Sequence, residues 1–219
     1  MVGNKTEMKI TRPKLPSILN PIELSVNDIN DEYFLSQGLI KDCSLENHSA
    51  YRIVLEQIVF RKVIFRQISF KNIELTDVRF EECDLSNVDF SEAVIHRTEF
   101  VNCKLIGLSL GEATLRNVSF EQCNGKFAFF RFSDIKQVIF SQCILSSTDF
   151  QKCKFTKVDF RKSDLIQAQI NGSVLRGIDF TSCEIEGMGV SIEDLNGAIV
   201  SSLQGASLSR IMGLVIKDY

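Results

Sequence analysis

The 219-residue chain has no tryptophan, two histidines, three tyrosines and three prolines. All three prolines, Pro13, Pro16 and Pro21, precede residue 22, so no later residue breaks a backbone hydrogen-bond ladder for want of an N–H. No run of 18 apolar residues occurs, and no membrane-spanning helix is expected. The segment Met1–Glu7 lacks the apolar core of a signal peptide, which predicts a cytoplasmic protein with reduced thiols. Met8 is a second candidate start. Seven cysteines are present, but none forms a CxxC pair, and His48 and His96 are the only histidines. Zinc needs four ligands around one point, so no metal site is expected. No nucleophile, acid or glycine-rich loop falls near either histidine, which leaves neither an enzymatic constellation nor a cofactor site. Charge is not lopsided either: 25 bases against 28 acids, a net of −3.

What the chain has is rhythm. In Phe80-Glu-Glu-Cys83-Asp-Leu85-Ser-Asn-Val88-Asp-Phe90 a bulky apolar residue returns every fifth place, with a small or β-branched one two places before it. From Leu35 to Ile185, 29 of the 31 positions divisible by five are Leu, Ile or Phe; Ala50 and Gly125 are the exceptions. Helices repeat every 3.6 residues and strands every 2, so this beat belongs to a solenoid. Two of every five side chains point inward and three point to water.

A second period of 20 is laid over the first. Phe60, Phe80, Phe100, Phe120, Phe140, Phe160 and Phe180 form one row, and Leu55, Leu75, Ile95, Leu115 and Ile135 another. Four pentapeptides per coil stack like residues on like, which defines an all-β solenoid: a quadrilateral parallel β-helix. Roughly 7–8 coils at the ~4.8 Å spacing of adjacent strands predict a shaft of roughly 37 Å. Three parts are expected: an N-terminal capping segment (1–32), the β-helix (33–200), and a C-terminal helix–strand cap (201–219). Ser25 is placed to cap one short helical turn, with Val26, Ile29 and Tyr33 on one side. Glu193 in an inward place marks a loosening last coil. Ser201-Ser-Leu-Gln204 is a capping box; it predicts a helix over about 202–212 that ends at Gly213, then a short strand at Leu214–Ile216.

All seven cysteines fall two places before a central residue, and six share one row. They read as small core hydrophobes rather than a redox or metal ladder. The repeated Asp before Phe or Leu (Asp84, Asp89, Asp149, Asp159, Asp164, Asp179) reads as a turn residue that bonds local backbone. Gly125 leaves a hole in the core that Phe127 is expected to fill from its nominally outward place. Phe129 and Phe132 are candidates for a contact patch.

Charges come in blocks. Residues 72–99 hold eight acids and two bases; 100–162 hold ten bases and five acids; 163–194 hold six acids and one base. An acidic rod can present itself to a basic, nucleic-acid-binding partner. Over residues 33–187, however, the count is 19 bases to 20 acids.

Cys83-Asp-Leu85-Ser-Asn, Val88-Asp-Phe90-Ser-Glu, Thr148-Asp-Phe150-Gln-Lys, Val158-Asp-Phe160-Arg-Lys and Ser163-Asp-Leu165-Ile-Gln resemble the A(D/N)LXX consensus of pentapeptide-repeat proteins. The resemblance implies a right-handed β-helix. The two ends, Met8-Lys-Ile-Thr-Arg-Pro-Lys-Leu-Pro16 and Gly197–Gln204 leading to Ile211–Ile216, are similar to the Qnr/MfpA group, in particular to chromosomal Qnr-like proteins of Gram-positive bacteria. That resemblance implies a protein that mimics DNA, binds DNA gyrase and topoisomerase IV, and protects them from quinolones. It also implies a homodimer joined through the C-terminus, with Leu203, Leu208, Ile211, Met212, Leu214, Val215 and Ile216 in the contact. Asp164, Asp179, Glu184 and Glu186 would then stand in for phosphates where two acidic blocks meet. The unbroken phase leaves no room for the inserted loops of some Qnr members. The other reading left open is a pentapeptide-repeat scaffold with an unrelated partner.

Overall fold

A computed structural model describes residues 8–217, so a translation start at Met1 and the segment 1–7 lie outside the described residues. The shaft is a four-sided parallel β-solenoid. Its strands are β1 (Phe34–Lys41), β2 (Ser44–Tyr51), β3 (Val54–Arg61), β4 (Ile64–Lys71), β5 (Glu74–Thr76), β6 (Arg79–Glu81), β7 (Val94–Val101), β8 (Thr114–Glu121), β9 (Asp134–Ser141) and β10 (Lys154–Arg161). The main sheet runs β1-β3-β5-β7-β8-β9-β10, with β6 beside β3 and β7, and β2 pairs β4. Every register step is 20 residues: Leu35 faces Leu55, Phe60 faces Phe80 and Phe100 faces Phe120. The continuous ladder makes about six turns, slightly fewer than the 7–8 expected, and single bridges continue it as far as Asp179–Ile199.

The third residue of each outward trio explains the corners. Twenty-seven non-glycine residues have φ between 45° and 65°, and every one has a number ending in 2 or 7. Left-handed backbone costs an L-residue about 1–2 kcal/mol, least for Asn and Asp and most for β-branched residues. No Val, Ile or Thr occupies any of these slots. When Ile192 arrives at the slot, its φ is −59° and a 3₁₀ turn follows at Glu193–Leu195.

Inside, Phe60, Phe80, Phe100, Phe120, Phe140 and Phe160 stack nearly parallel, with ring centroids 4.8–5.1 Å apart. The strand spacing sets that distance, so the backbone ladder and the ring column reinforce one another. The cysteines do more than fill space. The thiols of Cys83, Cys103, Cys123 and Cys143 donate to the carbonyls of Phe60, Phe80, Phe100 and Phe120, each 23 residues back. Thr148, Ser163 and Ser173 make the same bond with a hydroxyl. Burial pushes the Cys153 thiol up to about 12, as suits an inert core thiol.

Gly125 leaves no hole for Phe127. A Cβ placed there would lie 3.1 Å from Cδ2 of Leu145, so the next coil has already filled the space. Phe127 instead sits in a left-handed corner slot (φ 61°) and is 56% exposed, which corrects the inward expectation.

Residues 22–33 lie over the first coil, with a 3₁₀ turn at Val26–Asp28 capped by Ser25 and with Ile29 buried. Residues 8–20 run back along the shaft as a strap. The carbonyl of Met8 accepts from Arg161, Thr11 N–H donates to Asn117, Lys14 N–H donates to Asp77, and Gln57 donates to the Lys14 carbonyl. Leu39 and Asn20 close the other end. From the coil of β10 to that of β1 is six steps, about 29 Å at the ~4.8 Å strand spacing.

At the other end, α1 (Ser202–Leu208) has the expected capping box, with reciprocal Ser201–Gln204 bonds, and continues as a 3₁₀ turn to Met212. Gly213 ends it with φ 76°. Leu214–Ile216 is not a strand: it pairs with no other strand among the described residues, and its side chains stand exposed.

Candidate interaction surface

The four sides carry different chemistry, and the strap decides which are open. It lies along the edge between the side centred on Leu55, Leu75 and Ile95 and the side centred on Phe60, Phe80 and Phe100. Its main anchor is Asp77, buried and held by Arg97 through two 2.6 Å contacts and by Lys14 N–H at 2.8 Å. Burial pushes the Asp77 carboxyl up, but the bonds from Arg97 and Lys14 and the Arg97 charge outweigh it, leaving the group below its ordinary range. Burial and the Arg97 charge push His96, stacked beside Arg97, downward. Arg12 of the strap reaches Glu99 at 3.7 Å. The third side (Leu85, Leu105, Leu145, Leu165) and fourth side (Phe90, Leu110, Phe130, Phe150) lie away from the strap.

The acidic blocks separate on the same basis. In 72–99, acids meet bases on neighbouring coils, mostly at 20-residue spacing: Arg61–Glu81, Lys62–Glu82, Arg97–Asp77, Lys104–Asp84 and Arg79–Glu99. Lys71 reaches Asp89 as well. That block is therefore largely neutralised. In 163–194 the outcome differs. Asp164 and Glu184 are bridge partners on successive coils of the third side, and Glu186 is two residues on along the same side. Among the described residues none of these three carboxylates has a cation within ion-pair distance. Asp179 lies on the second side and accepts from the Thr181 N–H and hydroxyl at 2.9 and 2.6 Å. The structure thus brings Asp164, Glu184 and Glu186 together and places Asp179 round the corner. Asp84, Asp89, Asp149 and Asp164 each accept from the backbone N–H two residues ahead at 2.8–3.0 Å, the turn role their repetition indicated.

Next to this open acidic end lies the apolar tail. Leu203 and Val215 are each 85% exposed, and Ile211, Met212, Leu214 and Ile216 are exposed too. Leu208 instead packs against the core. A groove of about 330 Å³ between the last coil and the helix is lined by Ile192, Leu195, Ala198, Leu208 and Met212. Sequence reasoning missed the strap contacts and the outward set of Phe127; the two-or-seven numbering rule was the available signal for the latter.

Among the described residues no group of three or more His, Cys, Asp or Glu is placed to hold a metal ion, and no helix is long and apolar enough to cross a membrane. The family model for the pentapeptide repeat region matches residues 73–138 and 126–189. The chain belongs to the pentapeptide-repeat family. No curated protein matches its sequence. Among solved structures it is similar to full-length QnrB1, a plasmid-mediated fluoroquinolone resistance protein, at 17% identity over 81% of this chain and 100% of that one, TM-score 0.40. It is also similar to HetL, a pentapeptide repeat protein involved in heterocyst differentiation regulation from the cyanobacterium Nostoc sp. strain PCC 7120, at 15% identity over 78% and 91%, TM-score 0.36. A pentapeptide repeat protein of the Arabidopsis thaliana thylakoid lumen matches at 22% identity over 58% and 75%, TM-score 0.20. Likeness at this level concerns the fold alone.

Proposed function

We propose that this protein is a non-enzymatic DNA mimic that binds DNA gyrase and topoisomerase IV in the cytoplasm and modulates them or protects them from quinolones, as a homodimer joined through its C-terminus. The observation that carries the reading is the open acidic end. Residues 163–194 hold six acids against one base, a net of −5. Thirty-two residues at 20 per coil span about 8 Å of axis at the ~4.8 Å coil rise. Duplex DNA carries one charge per ~1.7 Å of axis, so 8 Å of it carries about five charges. The local density is therefore that of a duplex, and Asp164, Glu184 and Glu186 are free to meet a basic groove. Dimerisation through Leu203, Ile211, Met212, Leu214, Val215 and Ile216, with Leu208 as support, would bring two such ends together across a two-fold axis. The resemblance of both ends of the chain to the Qnr/MfpA group supports the same partner.

The second reading is a scaffold for an unrelated partner, and the ion-paired, nearly neutral middle of the shaft favours it. A supercoiling assay with purified gyrase, with and without ciprofloxacin, separates the two. The topoisomerase reading expects inhibition of supercoiling or relief of drug inhibition at micromolar protein. Absence of both effects would leave the scaffold.

A further inference from the structure

A different part of the rod has chemistry that acidic mimicry does not use. Three phenylalanines of one coil point outward: Phe127, Phe129 and Phe132, exposed by 56%, 38% and 53%. Two of them occupy left-handed corner slots, with φ of 61° and 65°, whereas every other left-handed residue among those described is polar or glycine. An aromatic residue there leaves more than half of its surface exposed, so burial offsets little of the backbone strain. The preceding coil makes room for the third ring. A Cβ at Gly111 would lie 2.7 Å from Cε1 of Phe129, so the ring lies across a bare stretch of backbone.

Each ring also carries a cation. Lys126 Nζ lies 5.0 Å from the Phe127 centroid, Arg131 Cζ lies 5.6 Å from Phe129, and Lys152 Nζ lies 5.5 Å from Phe132. Arg131 is answered by Asp149 at 2.8 Å, whereas Lys126 and Lys152 have no carboxylate within ion-pair distance among the described residues. The surrounding stretch 100–162 has ten bases against five acids, of which Glu112 and Glu121 have no ion-pair partner among the described residues. Apolar rings rimmed by unanswered ammonium groups mark an interaction surface.

We infer that the coil from Lys126 to Phe132 is a docking site for an acidic, apolar segment of a protein partner. Carboxylates of that segment reach Lys126 and Lys152 while its large apolar side chains pack on the three rings. The cations favour this occupant over single-stranded nucleic acid, because base stacking needs open ring faces and here a cation lies over each ring. The inference stands apart from the acidic end and does not depend on the topoisomerase reading.

The test is selection of random twelve-residue peptides displayed on phage against the full-length protein. The expected consensus combines Asp or Glu with Leu, Ile or Phe. The selected peptide, measured by fluorescence polarisation, should bind at least tenfold more weakly to Phe127→Asn/Phe132→Asn and to Lys126→Glu/Lys152→Glu. Asn suits left-handed backbone, so the first variant should melt at or above the wild-type temperature. A basic or uncharged consensus, no enrichment, or equal binding by the variants would overturn the inference. So would ring-dependent binding of oligothymidylate, which would assign the surface to nucleic acid. A melting point several degrees lower for Phe127→Asn/Phe132→Asn would make the rings structural and overturn it as well.

Discussion

Gln122 offers a test of the corner rule free of other effects. It is exposed, its φ is 54°, and its backbone N–H donates to the Ser141 carbonyl at 2.9 Å. Replacing it by Val puts a β-branched side chain into left-handed backbone and should destabilise by about 1–2 kcal/mol. Replacing it by Gly relieves strain of similar size, and the greater freedom of the unfolded chain offsets about 0.5–1 kcal/mol of that gain. The two variants should therefore differ by about 2 kcal/mol. With a urea m-value of about 3 kcal/mol/M, their midpoints should lie about 0.7 M apart. The neighbour Glu121 is equally exposed but sits at the extended end of β8, and Glu121→Val should stay within about 0.5 kcal/mol of wild type. The reasoning is refuted if Gln122→Val and Glu121→Val shift the midpoint alike, or if Gln122→Gly is the least stable of the three.

Other outcomes follow from particular contacts. Phe120 is 1% exposed and stacks on Phe100 and Phe140 at 4.8 Å on both faces, so Phe120→Ala should cost about 3–5 kcal/mol in urea unfolding. Phe120→Leu should cost far less. Asp77→Asn should cost about 1.5–3 kcal/mol and speed trypsin cleavage after Lys14, because it weakens the bonds to Arg97 and to Lys14 N–H. Since the folded carboxyl is held below its unfolded value of about 3.9, its stabilisation is full above that pH and lost as pH falls through the lower folded value. The Asn variant should show a flatter acid limb in that window, and an unchanged limb would contradict the assignment. Light scattering should give about twice 24.8 kDa for the wild type and 24.8 kDa for Leu214→Asp. A wild-type monomer would remove the dimer from the proposed function.

The shaft was legible because two side chains in every five repeat a requirement set by the backbone. Inward Phe100 and Cys103, the turn bonds of Asp84 and Asp164, and the Ser201–Gln204 box all obey local or 20-residue rules. Features that obey no period were not legible. The strap is tied by single side-chain bonds between residues 43 to 153 apart, such as Gln57 to Lys14 and Arg161 to Met8, and nothing in its sequence repeats. The outward Phe127 was not legible because Leu145 of the next coil fills the space at Gly125, a contact that one coil's sequence does not contain. Leu214–Ile216 has strand composition but no paired backbone among the described residues, and composition alone makes no ladder. The acids of 72–99 looked like an open block until the 20-residue offset set Arg61 beside Glu81 and Lys104 beside Asp84. Asp164 and Glu184 are stacked by that same offset, but with each other, so they stay unanswered.

The central claim is that the open acidic end occupies the place of DNA on a topoisomerase. The most direct measurement is displacement of a fluorescent duplex from purified gyrase, followed by anisotropy as this protein is added. The account predicts that the wild type releases the duplex, less effectively as salt rises, and that Asp164→Lys/Glu184→Lys/Glu186→Lys does not. A duplex that stays bound throughout, or equal release by the charge-reversed variant, would contradict it.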